Sequence, residues 1–232
     1  MNKPNTPDTL GFATVLASCL HDVKNSLSIF LGMLEDIVSE TNNDDPRYDR
    51  MLKLQYEGQR ISNDMTQLLG IYRGNNAQLS PNVTEIDVAD FLSDQRQIHE
   101  VMLGHKKIHA EVVCDASLAW FFDQEMVAGI LTNVLNNAYK YTRSRLSISG
   151  EERDGGLMLS IRDDGPGYPL HMRSKGRGGG LPPIDSSSGS TGLGLYFASL
   201  VAGLHKNKGR AGYISITNEG IDGGGCFGLW LP

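Results

Sequence analysis

Four clusters in this chain have residue types and spacings suited to chemistry. The first is His21-Asp22-Val23-Lys24-Asn25, an imidazole beside a carboxylate with an amide one helical turn further on. A histidine with an orienting acid is a nucleophile or a general base, and Asn25 falls on the same helical face as His21. The second cluster runs from Asn133 through Asn137 to Lys140, Tyr141 and Thr142. Asn133 and Asn137 project from one helix face, and their amide oxygens suit a magnesium ion that keeps most of its waters and bridges phosphates. Lys140, a turn beyond, can neutralise phosphate charge. The third is Asp163-Asp-Gly165-Pro-Gly167 at the end of a strand-like run. There Asp163 can accept from an exocyclic amine, and the glycines let the backbone approach a flat ring. The fourth is Gly189-Ser-Thr191-Gly192-Leu193-Gly194-Leu195, a glycine-rich loop opening a helix, which offers free N–H groups and a positive dipole end to phosphates.

Taken singly, each cluster has an ordinary explanation. A lone histidine on a bundle helix is usually a surface residue, and an Asn-rich face is usually solvated. An Asp-Gly step is a common turn, and a Gly/Ser loop capped by Thr191 is commonly a linker. The glycine loop matches neither a Walker P-loop nor a Rossmann fingerprint. The order and spacing of all four together carry the specificity.

The elements that must position these groups fall into two parts. Leu16, Leu20, Val23, Leu27, Phe30, Leu34 and Ile37 recur in alternating steps of four and three, the stripe of a helix packed lengthwise on others. That helix runs to about Glu40, and Thr41 to Pro46 is a polar turn. A second stripe follows, with Met51, Leu54, Gly58, Ile61, Met65, Leu68 and Tyr72, in which Gly58 is an unexplained gap. Two such helices cannot bury both stripes between themselves, so pairing with a second copy in a four-helix bundle is expected, with docking on the second domain as the alternative. Gly74 to Pro81 reads as a linker, which divides the chain into residues 1–75 and 76–232.

Beyond the linker, strand-like runs lie at Val83–Val88, Ile108–Val113, Leu146–Gly150, Leu157–Arg162, Tyr213–Thr217 and Cys226–Leu231. Helical stretches alternate with them at Ala89–Leu103, Gln124–Tyr141 and Gly192–His205. This order predicts a two-layer α/β sandwich, with helices on one face of a mixed sheet. Trp120, Phe121 and Phe122 read as core. His99, His105, His109, His171 and His205 read as surface or satisfied residues without metal-ligand spacing.

Bulk properties narrow the class. A chain of 232 residues with 40% hydrophobic and 21% charged residues is an ordinary globular protein with room for a core. Its net charge of -6 argues against a nucleic-acid binder. Cys19, Cys114 and Cys226 form no CxxC pair and read as small core residues in a reducing compartment. No apolar run is long enough to span a bilayer, so a cytoplasmic location without membrane insertion is expected.

The whole pattern resembles the two-component sensor histidine kinases, from about residue 10 to the end. His21 to Asn25 is similar to that family's H-box, Asn133 to Thr142 to its N-box, Asp163 to Gly167 to its G1 box and Gly192 to Leu195 to its G2 box. The resemblance implies a dimeric helical hairpin joined to an ATP-binding domain of the gyrase/Hsp90/MutL type. It also implies ATP and Mg2+ as cofactors. His21 would attack the γ-phosphate, and Asp22 would hold the proton of the other ring nitrogen. Asn137 with Asn133 would hold magnesium, while Lys140 and Tyr141 would line the nucleotide. Asp163, with Gly165 and Gly167, would receive the adenine amine, and Thr191 with Gly192, Leu193, Gly194 and Leu195 would wrap the phosphates. The implied partners are a second copy, a response regulator receiver domain, and a sensory protein or a sensor domain not in this chain. Asn25 would position water for dephosphorylating the regulator.

ATP-hydrolysing relatives carry a glutamate base where Asn133 stands, and an amide cannot take a proton from water. The site therefore favours a kinase over an ATPase. Leu170 to Ser188, at the place of the family's ATP lid, contains no Phe and is expected to be disordered without nucleotide, and Ser190 stands where some relatives have Gly. Both departures bear on efficiency; the Phe-less lid favours the alternative of a dimeric phosphotransfer or docking module whose nucleotide domain has decayed, while the intact Asn133, Asn137, Asp163, Gly192 and Gly194 argue against it.

Overall fold

The computed structural model describes residues 9–42, 44–75, 80–174 and 193–232, with side chains described except at 9–17 and 73–75. The chain forms two compact units, one ending at Leu69 and the other beginning at Gly70.

The first unit is a hairpin of α1 (Thr9–Glu40) and α2 (Tyr48–Asn75), whose last turns extend into the second unit. The Thr41 hydroxyl donates to the Ile37 carbonyl at 2.6 Å and ends α1, and Asp45 then takes Arg47 in a two-point ion pair that shapes the reversal. Leu34, Val38 and Leu52 form the buried cluster, with Tyr48 and Met51 against it. The gap at Gly58 has a physical reason: a methyl group added there would lie 2.7 Å from Leu31 Cδ2. The missing side chain lets Leu31 pack onto the backbone of α2.

The predicted stripe on α1 does not pack as one seam, and Leu34 is joined in the hairpin by Leu31 and Val38 from outside that stripe. Leu31, Leu34 and Val38 serve the hairpin, whereas Val23, Phe30 and Ile37 step outward every seven residues. Leu54, Ile61 and Leu68 do the same on α2, and these six side chains are each between 38% and 56% exposed. Cys19 is also exposed, not a core residue as its small size suggested.

The second unit opens with β1 (Thr84–Asp87), α3 (Val88–Ile98), α4 (Glu100–His105), β2 (His109–Cys114) and β3 (Ala119–Phe122). It continues with α5 (Gln124–Tyr141), β4 (Arg145–Glu152), β5 (Leu157–Asp163) and α6 (Leu193–Leu204). The last strands are β6 (Lys206–Asn207), β7 (Arg210–Ala211), β8 (Tyr213–Thr217) and β9 (Cys226–Leu231). Five strands make the main sheet in the order β2-β4-β5-β9-β8, parallel between β2 and β4 and antiparallel elsewhere.

The register explains the core. Ile148, Ile161, Phe227 and Ile216 form one cross-strand row, and Leu159, Leu229 and Ile214 lie in the next. Side chains two residues apart share a face, so both rows meet the buried residues of α3, α5 and α6, among them Phe91, Leu92, Ile130, Leu131, Ala198 and Val201. Each large side chain removed from water in this way contributes about 1.5–3 kcal/mol.

Three expectations are corrected. The single helix predicted over 89–103 is broken at His99, whose Nδ1 contacts the Gln95 carbonyl at 2.8 Å while its N–H turns to Arg96. The ring takes the acceptor that a continuous helix would give to the backbone. The run 83–88 does not join the main sheet. It pairs as β1 with β3, a strand absent from the sequence reading. Within β3 only Phe122 is fully buried, and Phe121, expected in the core, faces outward.

Candidate active site

His21 stands exposed on α1, its Nδ1 3.4 Å from Asn25 Nδ2 and 3.5 Å from Asp22 Oδ1. Both neighbours meet the same ring nitrogen, so Nε2 is the nitrogen available to an electrophile. A neutral ring that donates Nδ1–H to Asp22 keeps its lone pair on Nε2. An Asn25 amide turned to present its oxygen would support that same tautomer.

In the second unit, Asp123 caps α5 by accepting from the Met126 N–H at 2.9 Å. The same helix then carries the predicted face. Asn133 is buried, Asn137 is half-buried one turn on, and Lys140 reaches the exposed end with its ammonium 5.0 Å from the Tyr141 ring. Lys106 donates to the carbonyls of Tyr139 and Lys140 at 2.6 and 3.3 Å, so a cation stands at the negative end of α5.

Gly194, in the first turn of α6, lies against Asn133: an added methyl group would sit 2.0 Å from Asn133 Nδ2. That Nδ2 is buried and has no hydrogen-bond partner among the described residues. Leu193 and Leu195 are partly buried and pack their side chains against the core. Thr191 and Gly192, and Leu170–Ser188 beyond Ser174, lie outside the described residues, as does Ser190.

Asp163 ends β5. Its Oδ1 accepts from the N–H groups of Gly165 at 2.7 Å and Gly225 at 3.2 Å, leaving Oδ2 for another donor. Gly165 packs on the Tyr141 carbonyl, where a methyl group would lie 2.7 Å away, and thus joins the Asp163 turn to the end of α5. Gly167, at φ +77°, directs the chain beneath Asn218.

Two positioning groups escaped the sequence reading. Asp164 is buried, and its carboxylate accepts from the Arg143 N–H, the Ser144 N–H and the Ser144 hydroxyl at 2.8–3.0 Å. Burial alone would raise its pKa, but these bonds outweigh it and hold the group at about 2. Its signal was the doubled Asp163-Asp164 ahead of Gly165. His205 is the second: its Nε2 accepts from the Asp123 N–H at 3.0 Å and its Nδ1 donates to the Val201 carbonyl at 2.9 Å. The ring ties the end of α6 to the start of α5, whose middle meets the start of α6 at Asn133 and Gly194.

The second unit is an α/β fold on a mixed sheet, and residues 122–232 match the histidine kinase-, DNA gyrase B-, and HSP90-like ATPase family. The chain is 23% identical over 197 residues to the sensor-like histidine kinase SenX3 of Mycobacterium tuberculosis, covering 82% of this chain and 48% of SenX3. Among solved structures, histidine kinase AdeS of Acinetobacter baumannii aligns at TM-score 0.59 and 20% identity, over 91% of this chain and 96% of that one. Full-length ShkA in complex with AMPPNP aligns at TM-score 0.66 and 20% identity, over 94% and 45%. The chain is thus similar to sensor histidine kinases in sequence and shares its fold with solved histidine kinase structures. It spans about half the length of the curated relatives it matches. Among the described residues, no helix is long and apolar enough to cross a membrane.

Proposed function

We propose that this chain is an ATP-dependent protein histidine kinase. His21 takes the γ-phosphoryl group of ATP on Nε2 and passes it to an aspartate of a response regulator receiver domain, and the same chain dephosphorylates that regulator. The observation that carries the reading is the pair Asn133 and Gly194. A buried amide whose Nδ2 has no partner among the described residues lies against Gly194 in the first turn of α6, and a helix start of this kind can offer backbone N–H groups to phosphates.

The donor set fits the implied groups. Asn133 and Asn137 would hold magnesium through their amide oxygens, and Lys140 would offset phosphate charge. The bound ion would supply charge neutralisation across the phosphate oxygens. Asp163 would accept from the adenine amine on Oδ2. On the other side of the reaction, Asp22 holds the Nδ1 proton so that the Nε2 lone pair is presented to the phosphorus. Loose phosphoryl transfer then depends on positioning more than on covalent assistance. With an amide at position 133 there is no base for water, which favours transfer to a protein nucleophile over hydrolysis.

The outward rows Val23, Phe30, Ile37 and Leu54, Ile61, Leu68 support a homodimer whose hairpins form a four-helix bundle. The division into a phosphoacceptor hairpin over 1–75 and an ATP-binding domain over 76–232 belongs to the same reading. So do a cytoplasmic setting and an input from a sensory partner or a sensor domain.

Titration with Mg-ATP separates this reading from that of a decayed docking module. Saturable binding supports the kinase, and its absence supports the module. Asn25→Ala tests the second activity: autophosphorylation should persist while regulator dephosphorylation falls, and undiminished dephosphorylation would remove Asn25 from that role.

A further inference from the structure

Asp163 Oδ1 is engaged by two backbone N–H groups, so discrimination among bases falls to Oδ2. What surrounds Oδ2 is informative. A methyl group built on Gly225 would lie 2.5 Å from Asp163 Oδ2 and 2.9 Å from Tyr168 Cε2. The carboxylate oxygen and the edge of the tyrosine ring therefore crowd one point above Gly225, and only a glycine leaves room for both.

Tyr168 is held rigidly. Its N–H donates to Asn218 Oδ1 at 2.7 Å, and its carbonyl accepts from Asn218 Nδ2 at 3.2 Å and from Arg173 Nε at 2.9 Å. A ring with its backbone fixed on both sides cannot swing away cheaply to readmit water. Burial, and next the nearby Asp163 carboxylate, push the Tyr168 hydroxyl above its ordinary range, as expected for a ring packed beside that charge.

We infer that Tyr168 is a specificity-determining residue: its ring strips water from Asp163 Oδ2, so that a base presenting an exocyclic amine is accepted and one presenting a carbonyl is rejected. The inference rests on the nucleotide-binding reading above and deepens it. An amine donates to Oδ2 and replaces the lost water. A carbonyl at the same place leaves a desolvated carboxylate facing a second acceptor, and a polar site left unpaired in this way discriminates far more strongly than an apolar pocket does. With the ring removed, water can reach Oδ2 beside a carbonyl-bearing base, and the distinction weakens.

The test uses the full chain with magnesium and compares equilibrium binding of ATP with that of inosine triphosphate, which carries a 6-carbonyl and an N1–H where ATP has the exocyclic amine and a bare N1. Wild type, Tyr168→Leu and Tyr168→Phe are titrated in parallel, with a thermal melt of each. Leucine keeps an apolar filler in the fold but loses the ring edge, and phenylalanine restores the ring without the hydroxyl. The expected result is a strong preference for ATP in wild type, a preference on the order of tenfold smaller in Tyr168→Leu, and its recovery in Tyr168→Phe. A folded Tyr168→Leu chain with the wild-type preference overturns the assignment, as does a wild type that binds the two triphosphates alike. A wild type that binds neither overturns the nucleotide reading itself, and this inference with it.

Discussion

Gly194 comes so close to Asn133 that a methyl group on the glycine would sit 2.0 Å from the buried Asn133 Nδ2. The start of α6 and the middle of α5 are thus fitted to each other through one missing side chain. Gly194→Ala must move either the amide or the helix start, and both belong to the proposed phosphate site. Mg-ATP affinity is expected to fall at least about tenfold, a shift of roughly 1.4 kcal/mol, with little change in far-ultraviolet circular dichroism. Calorimetric titration checks it, and unchanged affinity would remove this contact from the site.

The hairpin depends on Gly58 in a similar way. Gly58→Ala improves intrinsic helix propensity by about 1 kcal/mol, yet places a methyl group 2.7 Å from Leu31 Cδ2. The overpacking is expected to outweigh the propensity gain by about 1 kcal/mol. Thermal melting of the wild type and Gly58→Ala decides the sign. The pair Gly58→Ala with Leu31→Ala should recover part of the loss.

His99 gives the second unit an acid sensitivity. The ring is buried on the Gln95 carbonyl, and desolvation lowers its pKa below the ordinary 6.5, against a smaller opposing effect of the hydrogen bond. The unfolded chain therefore takes up this proton first. Its contribution to stability is present above about pH 6.5 and is lost as pH falls from there toward the folded pKa. His99→Gln should flatten the pH dependence of denaturant midpoints between pH 7 and 5.

Asp164 acts at lower pH and with the carboxylate sign. Its folded pKa of about 2 lies below the model-peptide 3.8, so its stabilisation is complete above that value and is lost as pH falls through about 2. Asp164→Ala leaves the Arg143 and Ser144 N–H groups without their acceptor and should cost about 1–3 kcal/mol at neutral pH. It should also weaken Mg-ATP binding, because the loop it anchors holds Tyr141 against Gly165. Asp164→Asn should recover part of both effects.

Much of this arrangement was legible in the sequence because its signals are periodic or local. The helix Gln124–Tyr141 and the strands Tyr213–Thr217 and Cys226–Leu231 have the predicted bounds, set by the Asp123 cap and by β-branched or aromatic runs. The placement of Asn133 on a helix and of Asp163 at the end of a strand was legible in the same way. What escaped depends on tertiary contact. The break at His99 arises from a side chain competing for its own helix's carbonyl, and β3 became a strand only by pairing with β1. The roles of Asp164, His205 and Gly58 lie in partners 20, 82 and 27 positions away. The stripe on α1 was read as one seam because a seven-residue repeat does not say how many neighbours a helix has.

The most direct test of the central claim is incubation of the full chain with magnesium and γ-labelled ATP, beside His21→Ala. An acid-labile, base-stable label is expected on the wild type, the signature of phosphohistidine, and none on His21→Ala. Equal labelling of the variant, or a wild type that binds ATP yet takes no label, would contradict the claim.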